Sequence, residues 1–192
     1  MSDKPVPPRP VPPRPGTGAR ADRLAEILRV DHAGELGAVS IYRGQRAVLG
    51  EAASQVRIAG QLQEMEAHEA RHLARFETLL SERRVRPTAL APIWRLAGFA
   101  LGAGTALMGP KAAHACTEAV ETVIEAHYAD QIAEIAEREP ELAKELAAFR
   151  EEELAHRDLA VEEGALEAPG HRLLSGLIRA GCRVAIRVSE KL

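Results

Sequence analysis

The same order of residues occurs twice in this chain, in segments whose composition favours helix. A Glu-x6-Tyr-x2-Gln segment begins at Glu35 and is followed 34 residues later by a Glu-x2-His segment at Glu69. The order recurs at Glu121, with the second Glu-x2-His segment 32 residues further on at Glu153. A repeat of this length marks a repeated supersecondary unit. Two helical hairpins of one design therefore predict a four-helix bundle.

Apolar residues at helical spacing extend well beyond the repeat, and aromatic residues make up only 3% of the chain. Because alternating strand patterns are missing and Ala, Leu, Glu and Arg dominate, the predicted fold class is all-α. The hydrophobic share of 46% is sufficient for a core in one domain. The predicted helices lie near 22–49, 52–83, 111–138, 140–163 and 171–190.

Two segments fall outside these helices. Residues 1–21 contain seven of the twelve prolines and repeat VPPRP, which predicts a disordered proline-rich tail ahead of a domain at 22–192. Between the second and third helices lies PTALAPIWRLAGFALGAGTALMGP, whose only charge is Arg95. We interpret it as an apolar connector. Its uncharged part, 96–110, is too short to span a bilayer.

Both Glu-x2-His pairs fall on the apolar stripes of their helices when residues are projected at about 100° each. Glu69 lies at the centre of one stripe with His72 on its flank, and Glu153 and His156 lie within the other. Glu35 and Glu121 fall on the stripes of the remaining two helices. Edge or outward positions go to Glu64, His68, Glu151 and Glu152.

Four glutamates and two histidines are thus predicted to face one interior, without a Lys or Arg on the stripes to neutralise them. A buried, unpaired carboxylate costs several kcal/mol, so cations are required. Two divalent metals would balance four carboxylates, and the N/O ligand set suits iron or manganese. Carboxylate-bridged di-iron bundles use this set, which predicts Glu69 and Glu153 as bridging and Glu35 and Glu121 as terminal ligands. A lone Glu-x2-His pair would more often be a solvated surface pair.

Other polar residues near the stripes allow two interpretations. Tyr42 and Tyr128 either hydrogen-bond the ligands or are ordinary core tyrosines. Asp31, one turn before Glu35, is a candidate acceptor for a ligand imidazole. The histidines without a partner in the repeat are predicted not to be ligands, although His127 is kept as a candidate neighbour of the site: His32, His68, His114 and His127.

The last predicted helix is basic on one face and apolar on the other. Its basic residues are Arg172, Arg179, Arg183, Arg187 and Lys191. Such a helix beside an apolar segment indicates either a membrane-surface protein or elements that cap the bundle or a dimer. A net charge of −3 and the lack of interleaved basic and aromatic residues argue against nucleic acid as a partner. Cys116 and Cys182 lack metal or disulfide spacing and are expected to be reduced thiols in the cytoplasm.

Several segments of the chain resemble the 5-demethoxyubiquinone hydroxylases of ubiquinone biosynthesis. They are RVDHAGELGAVSIYRGQRAVLG, HEARHLARFETLL, RVRPTALAPIWRLAGFALGAGTALMG, ACTEAVETVIEAHYADQI, FREEELAHRD and AGCRVAI. Together they cover nearly all of the chain from residue 22 onward. The resemblance implies a ferritin-like bundle with two iron ions, held by Glu35, Glu69, His72, Glu121, Glu153 and His156, and no catalytic residue beyond these ligands.

The implied activity is an O2-dependent monooxygenase reaction on demethoxyubiquinol, a 2-polyprenyl-3-methyl-6-methoxy-1,4-benzoquinol. The electron donor would be NADH or the quinol itself. A substrate with an isoprenoid tail implies a peripheral protein on the cytoplasmic face of a bacterial inner membrane, with other ubiquinone-biosynthesis proteins as partners. The rival hypotheses are a ferritin-like iron oxidase or storage protein and a non-catalytic lipid-binding or scaffold bundle.

Overall fold

A computed structural model describes residues 17–50 and 56–191, and every regular element in these ranges is helical. The predicted all-α class is therefore confirmed. The helices are α1 (Thr17–Leu49), α2 (Val56–Arg83), α3 (Ala91–Leu107), α4 (Pro110–Ile135), α5 (Pro140–Glu162) and α6 (His171–Ser189), with a 3-10 turn at Ala165–Glu167. The predicted tail lies outside the described residues up to residue 16, and α1 begins at Thr17, five residues before the predicted start.

Four of the helices form the bundle that the repeat predicts. The hairpin of α1 and α2 packs against the hairpin of α4 and α5. One core cluster, around Leu28, Phe76 and Leu146, occupies one end of the bundle, and a second, around Leu62 and Met65, occupies the other. The repeated Glu-x2-His pairs fall between these clusters along α2 and α5, so the polar residues lie at the middle of the bundle.

The apolar connector predicted between α2 and α4 is itself a helix, α3, which was not among the predicted helices. Helix α3 lies along α1, where Gly98, Gly102 and Gly44 bring the two backbones into contact. A Cβ built on Gly98 would lie 2.7 Å from the carbonyl oxygen of Gly37. The helix was missed because it is apolar on nearly every side, so no amphipathic stripe marks it. Helix α3 can lie this close to α1 because the residues at the crossing are glycines, which have no side chain.

Helix α6 lies along α4 and is held there by a partly buried ion pair. Arg179, predicted to belong to the basic outer face, turns inward and donates to Glu118, which is 6% exposed. His171 Nε2 lies 3.5 Å from the other oxygen of Glu118. The apolar face of α6 is only partly covered, because Leu173 and Leu177 remain exposed. Both interpretations of this helix therefore have support, since it caps the bundle and still presents an apolar surface.

Replacing Arg179 with alanine is expected to lower the free energy of unfolding by about 2 kcal/mol. The change leaves Glu118 buried without its partner, and the cost is below that of a fully buried pair because Arg179 is 31% exposed. Chemical denaturation followed by circular dichroism measures the loss. Arg183→Ala is the matched control, because Arg183 is exposed on the same helix. Equal stability of the two variants would contradict the anchoring role of Arg179.

Within 17–50 and 56–191, the helices are all too short or too polar to cross a bilayer.

Candidate metal centre

The structure brings together all six residues that the repeat singles out. Helices α1 and α4 each contribute one glutamate, and α2 and α5 each contribute a Glu-x2-His pair, which places both side chains on the inward face one turn apart. None of the six is more than 5% exposed. They are Glu35, Glu69, His72, Glu121, Glu153 and His156.

The six residues form two overlapping groups. In one group, donor atoms of Glu35, Glu69, His72 and Glu153 all lie within 4.8 Å of one another. In the other, Glu69, Glu121, Glu153 and His156 do the same. Each group therefore contains one histidine and one glutamate of its own, and both groups share Glu69 and Glu153. This is the arrangement required of two adjacent cation sites with two carboxylates between them.

The two imidazoles turn the same nitrogen inward. Nδ1 of His72 lies 3.2 Å from Oε1 of Glu153 and 3.5 Å from Oε2 of Glu35. Nδ1 of His156 lies 3.2 Å from Oε1 of Glu69 and 3.4 Å from Oε2 of Glu153. The contact between His72 and Glu153 and the contact between His156 and Glu69 are therefore equivalent under the sequence repeat.

Many inward donor atoms of this cluster are buried without a hydrogen-bond partner. They include Oε2 of Glu35, Oε1 of Glu69, both carboxylate oxygens of Glu153 and Nδ1 of His72 and His156. Buried polar atoms are normally paired, so a group of orphaned atoms needs an explanation. Carboxylate and imidazole donors converging on one point fit a divalent cation. Among the described residues, no Lys or Arg is buried to supply the positive charge instead.

The protonation of the cluster shows how strongly it demands positive charge. Burial, followed by the charge of Glu153, raises the pKa of both Glu69 and Glu121 well above the usual range of a glutamate. For Glu153, burial raises the pKa, but contacts with His156 and His72 outweigh burial and hold that pKa at about 2. For His72, burial lowers the pKa, whereas Glu153 and Glu35 raise it to about 10. Without a metal ion, protons on Glu69, Glu121 and His72 therefore compensate the negative charge of the cluster, as bound cations would.

The two tyrosines of the repeat each bind the glutamate of the opposite half. The hydroxyl of Tyr42, on α1, donates to Oε1 of Glu121 on α4 at 2.7 Å. The hydroxyl of Tyr128, on α4, donates to Oε1 of Glu35 on α1. Both tyrosines are at most 2% exposed. Of the two interpretations of these tyrosines, the structure supports hydrogen bonding to the clustered glutamates.

Asp31 was expected to accept a hydrogen bond from a ligand imidazole, but in the structure it contacts Gln131 and His127 instead. Its Oδ1 accepts from Nε2 of Gln131 at 2.7 Å, and Nε2 of His127 lies 3.8 Å from the same oxygen. Burial raises the pKa of Asp31 well above its usual range. The one-turn spacing from Glu35 placed Asp31 near the cluster, but it points toward α4, whereas His72 and His156 extend from α2 and α5. His127 joins this network beside the cluster and is not among the six.

Two residues at the outer edge of the stripes contact the imidazoles of the cluster. Nδ1 of His68 lies 3.1 Å from Nε2 of His156, and Oε2 of Glu152 lies 3.4 Å from Nε2 of His72. Sequence reasoning placed both residues at the edge without assigning them a role. Their contacts cross from α2 to α5, so only their position at the stripe edge could have indicated them. His32 and His114 are buried but belong to neither group.

An apolar cavity of about 540 Å³ reaches the cluster from one side. It lies over α1 and α4, in the gap between α3 and α6. Glu35 and Tyr128 form part of its wall, so the cavity meets the cluster at a carboxylate. Most of the remaining wall is apolar, as in Val30, Ile41, Trp94, Leu101, Val120, Ile124, Leu174 and Ile178. The exposed Leu177 also lines it, which places an apolar residue at both the cavity and the surface.

The fold and the site define a class of helical bundle whose middle holds a buried carboxylate and histidine cluster able to bind metal. Residues 22–189 match the family model described as Ubiquinone biosynthesis protein COQ7, and the chain belongs to this family. The resemblance seen in the sequence segments is thereby confirmed.

Relatives in bacteria, animals and fungi match most of the chain. It is 51% identical over 177 residues to the 3-demethoxyubiquinol 3-hydroxylase of Rhodospirillum rubrum, covering 92% of this chain and 82% of the relative. It is 49% identical to the human NADPH-dependent 3-demethoxyubiquinone 3-hydroxylase, mitochondrial, with 86% and 76% covered. It is 39% identical to the 5-demethoxyubiquinone hydroxylase, mitochondrial, of Saccharomyces cerevisiae, with 91% and 80% covered.

Proposed function

We propose that this protein is a di-iron monooxygenase that hydroxylates demethoxyubiquinol with O2 in ubiquinone biosynthesis. The observation that carries the proposal is the apolar cavity that ends at Glu35, a member of the carboxylate cluster. A quinol with an isoprenoid tail needs an apolar site, and its ring must reach a redox centre. The names of the bacterial, human and yeast relatives describe hydroxylases of this substrate class.

The ligand set assigned to iron comprises the six clustered residues. Glu69 and Glu153 belong to both groups of donors and are assigned as bridging ligands, with Glu35 and Glu121 as terminal ligands. Two divalent ions would balance the four carboxylates, and imidazole with carboxylate donors suits iron. The chemistry that such an iron pair supplies when bound is the reductive activation of O2.

The protein's own residues prepare this site in two ways. Tyr42 and Tyr128 hold one oxygen of Glu121 and of Glu35, so each terminal carboxylate is oriented from the opposite half of the bundle. The raised pKa of Glu69 and Glu121 means that metal loading has to displace protons from the cluster. Metal binding and the charge state of the bundle interior are therefore linked.

The cavity is assigned to the quinol ring and the first part of its tail. Its apolar wall removes water from the ring, and Glu35 and Tyr128 bound the end where the ring meets the cluster. A volume of about 540 Å³ falls in the range of small-molecule sites. The rest of a long tail would extend past Leu177 to the outside of the protein.

The surface around this cavity supports peripheral binding to a membrane. Helices α3 and α6 expose Ile93, Leu96, Phe99, Leu173, Leu177 and Val184. Single exposed apolar residues are common, but this set lies on the two helices that flank one cavity, and basic residues follow along α6. The proposed location is the cytoplasmic face of a bacterial inner membrane, where the substrate is dissolved.

The double variant Leu96→Glu, Leu173→Glu is expected to bind anionic lipid vesicles at least about tenfold more weakly than the wild type. The reason is that two leucine side chains buried in the lipid contribute more than about 1.4 kcal/mol to the free energy of binding. Both residues are over two-thirds exposed and lie outside the cavity wall, so iron content should be unchanged. Vesicle flotation measures the binding. Val161→Glu on α5 is the control for an added charge on another helix. Equal flotation of all variants would contradict the membrane surface.

Activity of the purified protein tests the proposed reaction. The protein is loaded anaerobically with Fe(II), given demethoxyubiquinol and O2, and assayed for the hydroxylated quinol by mass spectrometry. NADH, NADPH and the quinol alone are compared as electron donors, because the human relative is named NADPH-dependent. Product formation with two irons per chain is expected. Many irons per chain without product would instead indicate an iron oxidase or storage protein.

A further inference from the structure

The outward nitrogens of the two cluster imidazoles face partners that no iron-ligand assignment includes. Both imidazoles point Nδ1 into the cluster, so Nε2 faces the seam between α2 and α5. At this seam lie His68 and Glu152, with side chains 30% and 33% exposed. They stand between the buried cluster and solvent.

We propose that His68 and Glu152 are positioning residues, which fix the orientation of His156 and His72 as metal ligands. The inference rests on the proposed metal site. It assigns to each ligand imidazole one partner on the other helix of the seam, with His68 on α2 acting on His156 of α5, and Glu152 on α5 acting on His72 of α2.

The tautomers required for metal binding agree with these contacts. A neutral imidazole that coordinates through Nδ1 carries its proton on Nε2. With this tautomer Nε2 of His156 donates to Nδ1 of His68 at 3.1 Å, and His68 carries its own proton on the other nitrogen. Oε2 of Glu152 lies 3.4 Å from the same Nδ1, so the two seam residues also contact each other. Nε2 of His72 has no hydrogen-bond partner and lies 3.4 Å from the carboxylate of Glu152, which is the usual kind of acceptor for a ligating histidine.

Both positioning residues are themselves held in place. Arg71 donates to Oε2 of Glu152 at 3.1 Å, and the rings of His68 and His156 lie within 26° of parallel with their centroids 5.2 Å apart. Phe149 stacks on the ring of His72 at 4.1 Å, so that imidazole is restrained on its face as well as at its edge. Rotation of either ligand ring would break a contact across the seam.

Alanine at His68 or at Glu152 is expected to weaken iron binding about 10–100-fold, the usual effect of losing such a partner. The measurement is the binding of Fe(II) to the full chain in anaerobic competition with a coloured chelator. His68→Asn should restore most of the affinity, since its amide oxygen can occupy the position of Nδ1, and Glu152→Gln should do so through its amide oxygen. Glu151→Ala, an exposed neighbour with the same loss of charge, should bind iron as the wild type does.

The outcomes separate this inference from the assignment of the metal site. If the wild type binds two irons, and His68→Ala and Glu152→Ala bind iron with the affinity of Glu151→Ala, the inference about the positioning residues is wrong and the metal site stands. Loss of affinity in His68→Asn equal to that in His68→Ala would also overturn the inference. Wild type without iron would overturn both. Because both residues are partly exposed, the metal-free variants are expected to unfold at the wild-type temperature. That result would exclude misfolding as the cause of the weaker iron binding.

Discussion

Glu153→Ala is expected to abolish both iron binding and quinol hydroxylation. Glu153 belongs to both donor groups and its two oxygens lack hydrogen-bond partners, so its loss opens both proposed iron sites at once. Loss of a hydrogen-bond partner outside the ligand set costs 10–100-fold, so loss of a shared ligand should cost at least about 100-fold in activity. Iron per chain by elemental analysis and product by mass spectrometry measure the two effects.

The matched control for Glu153 lies two residues earlier. Glu151 is exposed on the same helix, and Glu151→Ala removes the same side chain without touching the cluster. It should retain wild-type iron content and activity. Full activity of Glu153→Ala would contradict the di-iron proposal, and loss of both functions in Glu151→Ala would show that the effect is not specific to the cluster.

Gly102→Ala is expected to destabilise the protein by about 3 kcal/mol, at the upper end of the cost of overpacking. An added Cβ would meet the backbone of Ile41, including its carbonyl oxygen, and a backbone atom cannot move aside as a side chain can. Helix α3 would have to move away from α1. Because α3 forms one wall of the cavity, the affinity for the quinol should fall as well. Denaturant unfolding and the KM for the quinol measure these effects.

Gly104 provides the control, since a Cβ at this exposed position would have no neighbour within 4 Å. Gly104→Ala should stabilise the protein by about 0.5–1 kcal/mol, because alanine loses less conformational entropy in a helix than glycine. Equal effects of the two substitutions would contradict the close crossing of α1 and α3.

The bundle and its polar cluster could be predicted because the sequence contains the same pattern of residues twice. The period of a helix and the spacing of its apolar residues are local properties, so the four bundle helices were predicted close to their observed bounds. The same spacing predicted that Glu35, Glu69, Glu121 and Glu153 would meet. The tyrosine contacts were one of two open alternatives, because spacing alone does not say which side chain a hydroxyl reaches.

The helical class, the two-hairpin repeat and the six residues that converge at the middle of the bundle follow from local patterns along the chain. The positions of α3 and α6 on the bundle, and therefore the place where the cavity reaches Glu35, depend on tertiary packing. Tertiary packing also turns Arg179 inward to Glu118 and brings His68 and Glu152 to the ligand imidazoles. The reason is that these contacts join different helices, and a local pattern specifies the face of a helix but not its neighbour.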